Sequence, residues 1–422
     1  MQAEKTMSYI LRGMILLIIM WGGSLPAGEY QAIDQWAAGT PPEVTRRIDS
    51  LAFYLITPAK NDNEKARALY TWITNNLSYD LEGLLHSQRL PVSAEDVLKT
   101  RKAVCGGFAN LFERLATEAG LEAVTIRGFS KGYGYQVGQS TQDQTNHAWN
   151  AVRIDGAWKL IDVTWGSGYL DETGTYVRRF EDFYFLARPE ALILTHFPED
   201  PAWQLLTPPV TREEFERFVY VKPPLFHYGI ELDSHTSASL RVSDQLLLHL
   251  RVPEEIILTS SLLSGDREVA RGYIFSQRNR DGYDIHVLPP HVGVFTLRIF
   301  SRPRDSSGIL EWTLDYRIEA SPDKPADRRF PLDFEPFHTH AARLISPFFA
   351  PLAGHTTQNF KIFIPEAMEV IVLSGAKRHF LVQRGELFEG KVRLTSGDVT
   401  VYAKFRPGNL YEALLTYPSG GS

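Results

Sequence analysis

The chain contains 422 residues, of which 44% are hydrophobic and 22% charged, a composition typical of folded proteins at a length that accommodates roughly two to four domains. Lys and Arg number 44 against 50 Asp and Glu, so there is no positive excess to neutralise phosphates, and we expect no nucleic-acid partner. The chain has one cysteine, Cys105, which excludes an intramolecular disulfide and leaves packing to hold the fold.

The first 27 residues have the pattern of a secretion signal peptide. Lys5 and Arg12 supply positive charge, an apolar run extends from Gly13 to Trp21, and Leu25-Pro26-Ala27 provides a small-residue cleavage site. This run is shorter than the ~20 residues that span a bilayer, so cleavage is favoured over a retained anchor. We therefore expect export to the periplasm or the extracellular space, with no stable membrane insertion after cleavage.

Residues 44–100 have the apolar periodicity of amphipathic helices. Two helical faces are marked by apolar residues three and four positions apart: Ile48, Leu51, Ala52 and Leu55, then Ala66, Leu69, Ile73 and Leu77. Ser93 followed by Asp96 predicts the capped start of a third helix. A further helix is predicted to begin at Cys105 and to end at Gly120.

The apolar period then changes to two, which predicts strands over 122–127, 147–154 and 157–164. Asp155-Gly156 between the last two is a strong signal for a two-residue hairpin. The polar stretch 128–146 is predicted to be a long surface loop. Helices followed by strands indicate an α+β domain, which we assign to residues 28–208.

Beyond Pro224 the pattern is all-β, with a weak internal repeat. Arg251-Val252-Pro253-Glu254 resembles Phe363-Ile364-Pro365-Glu366, and two later pairs of segments, 293–297 with 397–401 and 314–316 with 415–417, recur in the same order. The repeat predicts two β-sandwich modules, at 224–320 and 333–418, separated by a linker near 321–325.

Cys105 is the first candidate for chemistry, because the first turn of a helix stabilises a thiolate through unpaired N–H groups and the positive end of the helix dipole. Gly106 and Gly107 leave room for a substrate backbone, and the N–H of Cys105 can form half of an oxyanion hole. The alternative is a small buried cysteine that fills a gap in the core.

His147 and Asp162 lie on the two strands of the predicted hairpin. If Asp155-Gly156 is the loop, Ile154 pairs with Ala157, which puts Asp162 diagonally across from His147 on the same face. His147 is then placed to take the thiol proton, and Asp162 to orient the imidazole. Taken singly, each residue also has a structural alternative: His147 can be a hydrogen-bonded core histidine, and Asp162 a surface carboxylate near the turn.

Together these residues resemble a known family. Three motifs occur in the order found in the transglutaminase-like superfamily, and in its kyphoscoliosis peptidase group in particular: Cys105-Gly106-Gly107-Phe108, His147-Ala148-Trp149-Asn150 and Asp162-Val163-Thr164-Trp165-Gly166. Segments 70–72, 77–80 and 226–230 also resemble that group. The resemblance implies an α+β papain-like or transglutaminase-like core followed by two all-β immunoglobulin-like sandwich modules. It also implies that Cys105 is the nucleophile, His147 the base and Asp162 its orienting acid.

Other site residues remain candidates. Trp72, Tyr79 and Gln88 are alternatives for the second oxyanion donor, with Trp72 favoured as a core residue, and Gly106, Trp149 and Trp165 are candidates to line the substrate site. The remaining histidines are scattered without metal-ligand spacing, so we expect no metal and no cofactor.

The resemblance implies chemistry on amides through a thioester acyl-enzyme, with a protein or peptide as substrate. Family relatives include proteases, crosslinking enzymes and inactive members, and a protease-like activity is favoured over crosslinking. The alternative is a catalytically silent scaffold that binds proteins at the cell envelope. In either case the β modules are expected to bind envelope or extracellular proteins.

Overall fold

The computed structural model describes residues 28–86, 90–141, 143–171, 173–322 and 328–419. The predicted signal peptide, residues 1–27, and Gln88 lie outside these ranges. The chain divides into two compact units, Met1–Phe218 and Val219–Ser422. Within the described ranges no helix has both the length and the apolar character needed to cross a membrane.

Helices dominate the first half of the first unit. Their bounds are α1 Gln31–Ala38, α2 Ile48–Ile56, α3 Asp62–Asn76, α4 Leu81–Leu85, α5 Ala94–Thr100 and α6 Cys105–Glu118, with later short helices α7 Pro189–Leu192 and α8 Arg212–Arg217. Both predicted apolar faces are buried. Ser93 caps α5 by accepting the N–H of Asp96, as the sequence predicts, and Asn61 likewise caps α3 by accepting the N–H of Glu64.

The helix that begins at Cys105 is also confirmed. Its apolar residues pack against α2, α3, α5 and the sheet, and they form one continuous buried core with them. Gly120 follows the helix with φ +77°, a left-handed conformation that glycine adopts without a steric penalty. The helix start is therefore held between core elements.

The described strands of the first unit form one four-stranded sheet and two short pairs. The bounds are β1 Ser78–Tyr79, β2 Lys102–Ala103, β3 Ala123–Ser130, β4 His147–Ile154, β5 Ala157–Ile161, β6 Gly168–Leu170, β7 Tyr176–Arg178 and β8 His196–Pro198. The sheet order is β5-β4-β3-β8, while β1 pairs with β2 and β6 with β7. Short 3-10 turns lie at Pro42–Arg46, Trp165–Ser167, Asp182–Tyr184 and Pro201–Gln204.

The predicted hairpin between β4 and β5 is confirmed. Ile154 pairs with Ala157, and Asp155 and Gly156 have φ values of 50° and 80°, as a tight hairpin turn with two left-handed residues requires. The strand predicted for 157–164 is too long, however, because β5 ends at Ile161. Asp162 ends it by accepting the N–H groups of Thr164 and Trp165 on its side-chain Oδ1, at 2.8 and 3.0 Å, which turns the backbone away from the ladder.

The predicted loop is shorter than expected, because β3 continues to Ser130. The Asn146 amide closes the loop by accepting the N–H of Ser130 at 2.7 Å and donating to its carbonyl at 3.0 Å. The next residue, Lys131, is fully buried, and its Nζ donates to the carbonyls of Phe215 and Phe218, both at 2.8 Å. Burial lowers the pKa of Lys131 to about 7, against a smaller opposing effect of Glu216.

The second unit is almost entirely β-structure. In its first part the elements are β9 Tyr220–Val221, α9 Pro224–His227, β10 Glu231–Leu232, β11 Ser239–Val242, β12 Leu246–Arg251, β13 Ile256–Ser264, β14 Arg267–Glu268, β15 Ile274–Arg278, β16 Gly282–Val287, β17 Gly293–Pro303 and β18 Glu311–Ala320. The second part contains β19 Leu332–Asp333, α10 Glu335–Thr339, β20 Arg343–Ser346, β21 Thr357–Phe363, β22 Glu369–Ser374, β23 Lys377–Phe380, β24 Val382–Arg384, β25 Leu387–Arg393, β26 Val399–Lys404 and β27 Glu412–Tyr417.

These strands form two sandwiches whose sheets match in strand order apart from one edge strand. Sheets β10-β12-β16-β15 and β11-β18-β17-β13-β14, with β9 also paired to β18, make the first, and β20-β21-β25-β24 and β19-β27-β26-β22-β23 make the second. Strand β9 pairs antiparallel with β18 as β19 does with β27, whereas β11 is parallel to β18 and is particular to the first sandwich. The repeated segments of the sequence fall at corresponding positions: after β12 and β21, at the start of β17 and β26, and on β18 and β27. Burial alternates along β12 and β17 of the first sandwich and along β21 and β26 of the second, so each sheet turns every other side chain inwards, which is the packing that a sandwich requires.

Candidate active site

Cys105 occupies the first residue of α6, and two neighbouring strands hold it there. Parallel pairing of β1 with β2 sets Tyr79 beside Ala103, two residues before the cysteine. The carbonyl of Val104 accepts the N–H groups of Gly107 and Phe108 and so starts the helix. The residue as a whole is partly exposed, and the first-turn amides of the helix have no acceptor within the helix itself.

The two glycines after the cysteine have different roles. A Cβ at Gly106 would meet no atom within 4 Å, so this residue borders open space next to the thiol. At Gly107 a Cβ would lie 2.6 Å from Cβ of Ala103 and 2.8 Å from the carbonyl oxygen of Pro91. The expectation that both glycines make room for a substrate is therefore wrong for Gly107, which permits close packing of the helix start.

His147 begins β4, where it pairs with Gly128 of β3. Its Nε2 lies 2.7 Å from Oδ2 of Asp162, and both side chains are buried. Because Asp162 occupies Nε2, the other ring nitrogen remains for the thiol of Cys105, which interacts with the imidazole and with the backbone N–H of Ala148. The structure thus brings together the cysteine, histidine and aspartate that the sequence singles out.

Asp162 is completely buried and accepts four hydrogen bonds. Its Oδ1 receives the N–H groups of Thr164 and Trp165. Its Oδ2 receives His147 and a second imidazole, that of His196, whose Nε2 lies 3.0 Å away. A buried carboxylate with four donors stays ionised, since each donor stabilises the charged form.

The electrostatics of the site favour a thiolate–imidazolium pair. Burial acts to raise the pKa of Asp162, but the charge and hydrogen bond of His147, with help from His196, hold it well below its usual range. For His147, burial lowers the pKa, yet Asp162 and Cys105 together raise it to about 10. Burial raises the pKa of Cys105, and the contacts with His147 more than offset this and bring it below the ordinary value.

Sequence reasoning missed His196. It counted this residue among the scattered histidines, because 34 positions separate it from Asp162 and no motif links the two. Antiparallel pairing of β8 with β3 sets His196 opposite Ser130 and carries it into the site. Burial is the main reason that its pKa is lowered to about 4, so this ring is neutral at physiological pH.

Aromatic rings enclose the two imidazoles. The Trp165 ring centre lies 5.5 Å from that of His147 and 4.4 Å from that of His196. Trp149 lies 5.8 Å from His147 and packs edge-on against His196 at 5.2 Å. Trp165 is partly exposed and suits the predicted lining role. Trp149 is only 1% exposed, so it forms the wall behind the imidazole and does not line an open cleft.

The structure distinguishes between the candidates for a second oxyanion donor. Trp72 is fully buried on α3, with the guanidinium of Arg101 4.4 Å from its ring centre, and it is a core residue. Tyr79 lies close enough to Cys105 for the thiolate to help burial raise the pKa of its phenol. Gln88 lies outside the described ranges. Tyr79 and the open space at Gly106 therefore adjoin the thiol.

Comparison with known proteins matches two family models. Residues 49–163 match the transglutaminase-like superfamily, and residues 212–331 match the KY-like immunoglobulin-like domain. The first match contains Cys105, His147 and Asp162. Both matches confirm the predicted fold class of a transglutaminase-like core followed by immunoglobulin-like β-structure.

Curated relatives agree with these matches. Kyphoscoliosis peptidase from Mus musculus is 35% identical over 285 residues, which cover 66% of this chain and 42% of the relative. The Homo sapiens protein of the same name is 34% identical over 69% of this chain and 44% of the relative. Hillarin from Drosophila melanogaster is 32% identical over 48% of this chain and 26% of its own length. The chain thus spans less than half the length of each of these relatives.

Proposed function

The chain is a transglutaminase-like protein of the kyphoscoliosis peptidase-like group, and on this premise we propose that it is an exported thiol enzyme acting on protein amides. The observation that carries the proposal is the line of contacts from Cys105 through His147 to Asp162. It supplies a nucleophile, a base and an orienting carboxylate in the order that acyl transfer needs. Protease-like hydrolysis is the favoured outcome, in keeping with the peptidase names of two relatives.

In the proposed reaction the Cys105 thiolate attacks the carbonyl carbon of an amide. The C–N bond then breaks, the imidazolium of His147 gives its proton to the leaving amine, and a thioester remains on the sulfur. In hydrolysis, His147 takes a proton from water as the water attacks the thioester. The C–S bond then breaks, the carboxylic acid leaves, and the thiolate–imidazolium pair is restored with the proton on His147. An amine in place of water yields a new amide.

Asp162 and the helix start support the two charged stages of this reaction. The carboxylate holds Nε2 of His147, so that the other ring nitrogen faces the sulfur and the imidazolium is stabilised. The first-turn N–H of Cys105 is suited to bind the developing oxyanion. We propose the hydroxyl of Tyr79 as a second donor, because it is the described candidate nearest the thiol.

Export and the role of the β-structure complete the proposal. The signal-like pattern of residues 1–27 supports a site of action in the periplasm or the extracellular space. The two sandwiches of the second unit are proposed to bind envelope or extracellular proteins, as tandem immunoglobulin-like domains commonly do.

The test is the reactivity of the only thiol in the chain. Iodoacetamide labelling across pH should find Cys105 reactive at about pH 6, far below the ~8.5 at which an ordinary thiol titrates. The Cys105→Ala variant provides the blank for labelling. Incubation with a peptide library, with and without a primary amine, followed by mass spectrometry then identifies hydrolysis or amine transfer.

An ordinary thiol titration would contradict the enzyme and support the alternative, a silent transglutaminase-like scaffold that binds proteins. That alternative draws on the size of the second unit, since residues 219–422 make up nearly half of the chain. Peptide turnover that persists in Cys105→Ala would equally contradict the proposed nucleophile.

A further inference from the structure

We propose that His196 is a positioning residue of this site, whose neutral imidazole donates a second N–H to the carboxylate of Asp162 and keeps the site ionised. This inference rests on the proposed function, because it concerns how the same thiol becomes reactive. It assigns His196 no contact with substrate.

The carboxylate of Asp162 has room for a donor from His196. Each carboxylate oxygen accepts two hydrogen bonds, and Oδ1 is already occupied by the N–H groups of Thr164 and Trp165. On Oδ2, His196 shares the oxygen with His147 at 3.0 and 2.7 Å. Removal of His196 would leave one acceptor position of a fully buried carboxylate without a donor, which is costly for a charged group.

The proton of His196 lies on Nε2, because Nε2 faces the ionised carboxylate of Asp162 at 3.0 Å, and a carboxylate can only accept a hydrogen bond. Nδ1 is then an acceptor, and the hydroxyl of Thr195 donates to it at 2.9 Å in preference to the Leu192 carbonyl at 3.3 Å. The ring is fully enclosed, with Trp165 packed against it. A buried histidine held in this tautomer is a donor of fixed direction.

The ionised site carries an excess of negative charge. A thiolate at Cys105, an imidazolium at His147 and a carboxylate at Asp162 together carry one net negative charge in a buried place. A neutral donor aimed at this group stabilises the negative form, so its loss raises the pH at which the site takes up a proton, whichever member receives it.

Three tyrosines also face this site. Burial, together with nearby negative charge, keeps the pKa of Tyr70 and Tyr79 above the ordinary value, so both remain neutral in the acid range. The Tyr184 ring lies 6.1 Å from that of His196. His147, Cys105 and Asp162 exchange a proton there, and His196 itself takes one up only at about pH 4. Lys131, whose backbone N–H bonds the carbonyl of Thr195, has a pKa of about 7, and its Nζ is directed to the carbonyls of Phe215 and Phe218.

The experiment measures the iodoacetamide labelling rate of Cys105 against pH in the full chain. His196→Phe keeps an aromatic ring but removes the N–H, whereas His196→Gln restores an N–H near the position of Nε2. We expect the acid limb of the profile to move up by about one pH unit in His196→Phe, since a hydrogen bond to a charged group is worth at least that much. His196→Gln should return it towards wild type.

Two further variants serve as controls for the effect of His196→Phe. Thr195→Val removes the donor to Nδ1 while leaving the ring in place, and it should move the limb in the same direction by a smaller amount. His286→Phe, a histidine replacement in the second unit, should leave the profile unchanged. Thermal unfolding of each variant shows whether it is folded, and if His196→Phe is not, Thr195→Val and His196→Gln carry the test.

The pH profiles of the variants distinguish failure of the His196 role from failure of the proposed enzyme function. A wild-type profile in both His196→Phe and Thr195→Val overturns the inference and leaves the enzyme proposal intact. Equal shifts in His196→Phe and His196→Gln overturn the role of the N–H, because ring shape then matters instead. An ordinary thiol titration in wild type overturns the proposed function and this inference together.

Discussion

Alanine substitution at the two glycines after Cys105 should change stability in opposite directions. At Gly106 an added Cβ meets no atom within 4 Å, so only the gain in helix propensity remains, ~0.5–1 kcal/mol. At Gly107 the same methyl group lies 2.6 Å from Ala103, 2.8 Å from the Pro91 carbonyl oxygen and 2.9 Å from Val97. Real carbon atoms do not approach so closely, and the backbone carbonyl cannot rotate away as a side chain can.

Overpacking of this kind costs about 1–3 kcal/mol, and the propensity gain of up to ~1 kcal/mol offsets part of it. We therefore expect Gly107→Ala to be about 1–2 kcal/mol less stable than wild type, and Gly106→Ala to be slightly more stable. For a unit of this size, each kcal/mol corresponds to roughly 2–4 °C in Tm.

Urea unfolding followed by tryptophan fluorescence is the appropriate assay. Seven of the eight tryptophans precede Val219, so the signal reports mainly on the first unit. The two variants differ by one position on the same helix turn and serve as controls for each other. Equal stability of the pair, or a loss confined to Gly106→Ala, would refute the packing argument.

Three further predictions use the same protein. Asp162→Asn removes the charge that raises the pKa of His147 to about 10. The imidazolium then loses its stabilisation, and iodoacetamide labelling of Cys105 at about pH 6 should slow at least about tenfold. An unchanged labelling rate would show that the carboxylate does not stabilise the imidazolium. Lys131 has a folded-state pKa of about 7 against 10.5 in the unfolded chain. Between pH 7 and 10.5 the unfolded chain binds more protons than the folded chain, so burial of Lys131 costs less stability as the pH rises. The unfolding free energy of wild type minus that of Lys131→Met should therefore increase with pH, by up to ~1.4 kcal/mol per pH unit. Urea titrations that give the same difference at every pH would contradict the lowered pKa of Lys131. Gly156→Ala should lower the unfolding free energy by about 1–2 kcal/mol, because an alanine is strained at the φ of +80° that the turn requires. An added Cβ meets no atom within 4 Å, so backbone strain is the whole effect. An unchanged Tm would argue against the hairpin turn.

Much of the candidate site is predictable from local pattern. The helix that starts at Cys105 follows from apolar spacing and a terminal glycine, and the register that brings Asp162 to His147 follows from Asp155-Gly156. Both depend on interactions within about twenty residues, where backbone preferences and alternation are strong. The repeat of the second unit is likewise visible in sequence, and the matching strand orders of the two sandwiches account for it.

Other features depend on contacts between distant segments. The role of Gly107 depends on Pro91, Ala103 and Val97, and the end of β5 depends on a side chain that turns its own backbone. His196 reaches Asp162 through the pairing of β8 with β3.

The sequence by itself determined which groups can react, because helix starts and hairpin registers are local and identify Cys105, His147 and Asp162. Tertiary structure alone decided what surrounds them: a second imidazole on the carboxylate, a tryptophan wall, and a glycine at a crowded helix start. The physical reason is that burial and shared hydrogen bonds arise only when separate elements pack, and no spacing along the chain encodes which side chains then meet.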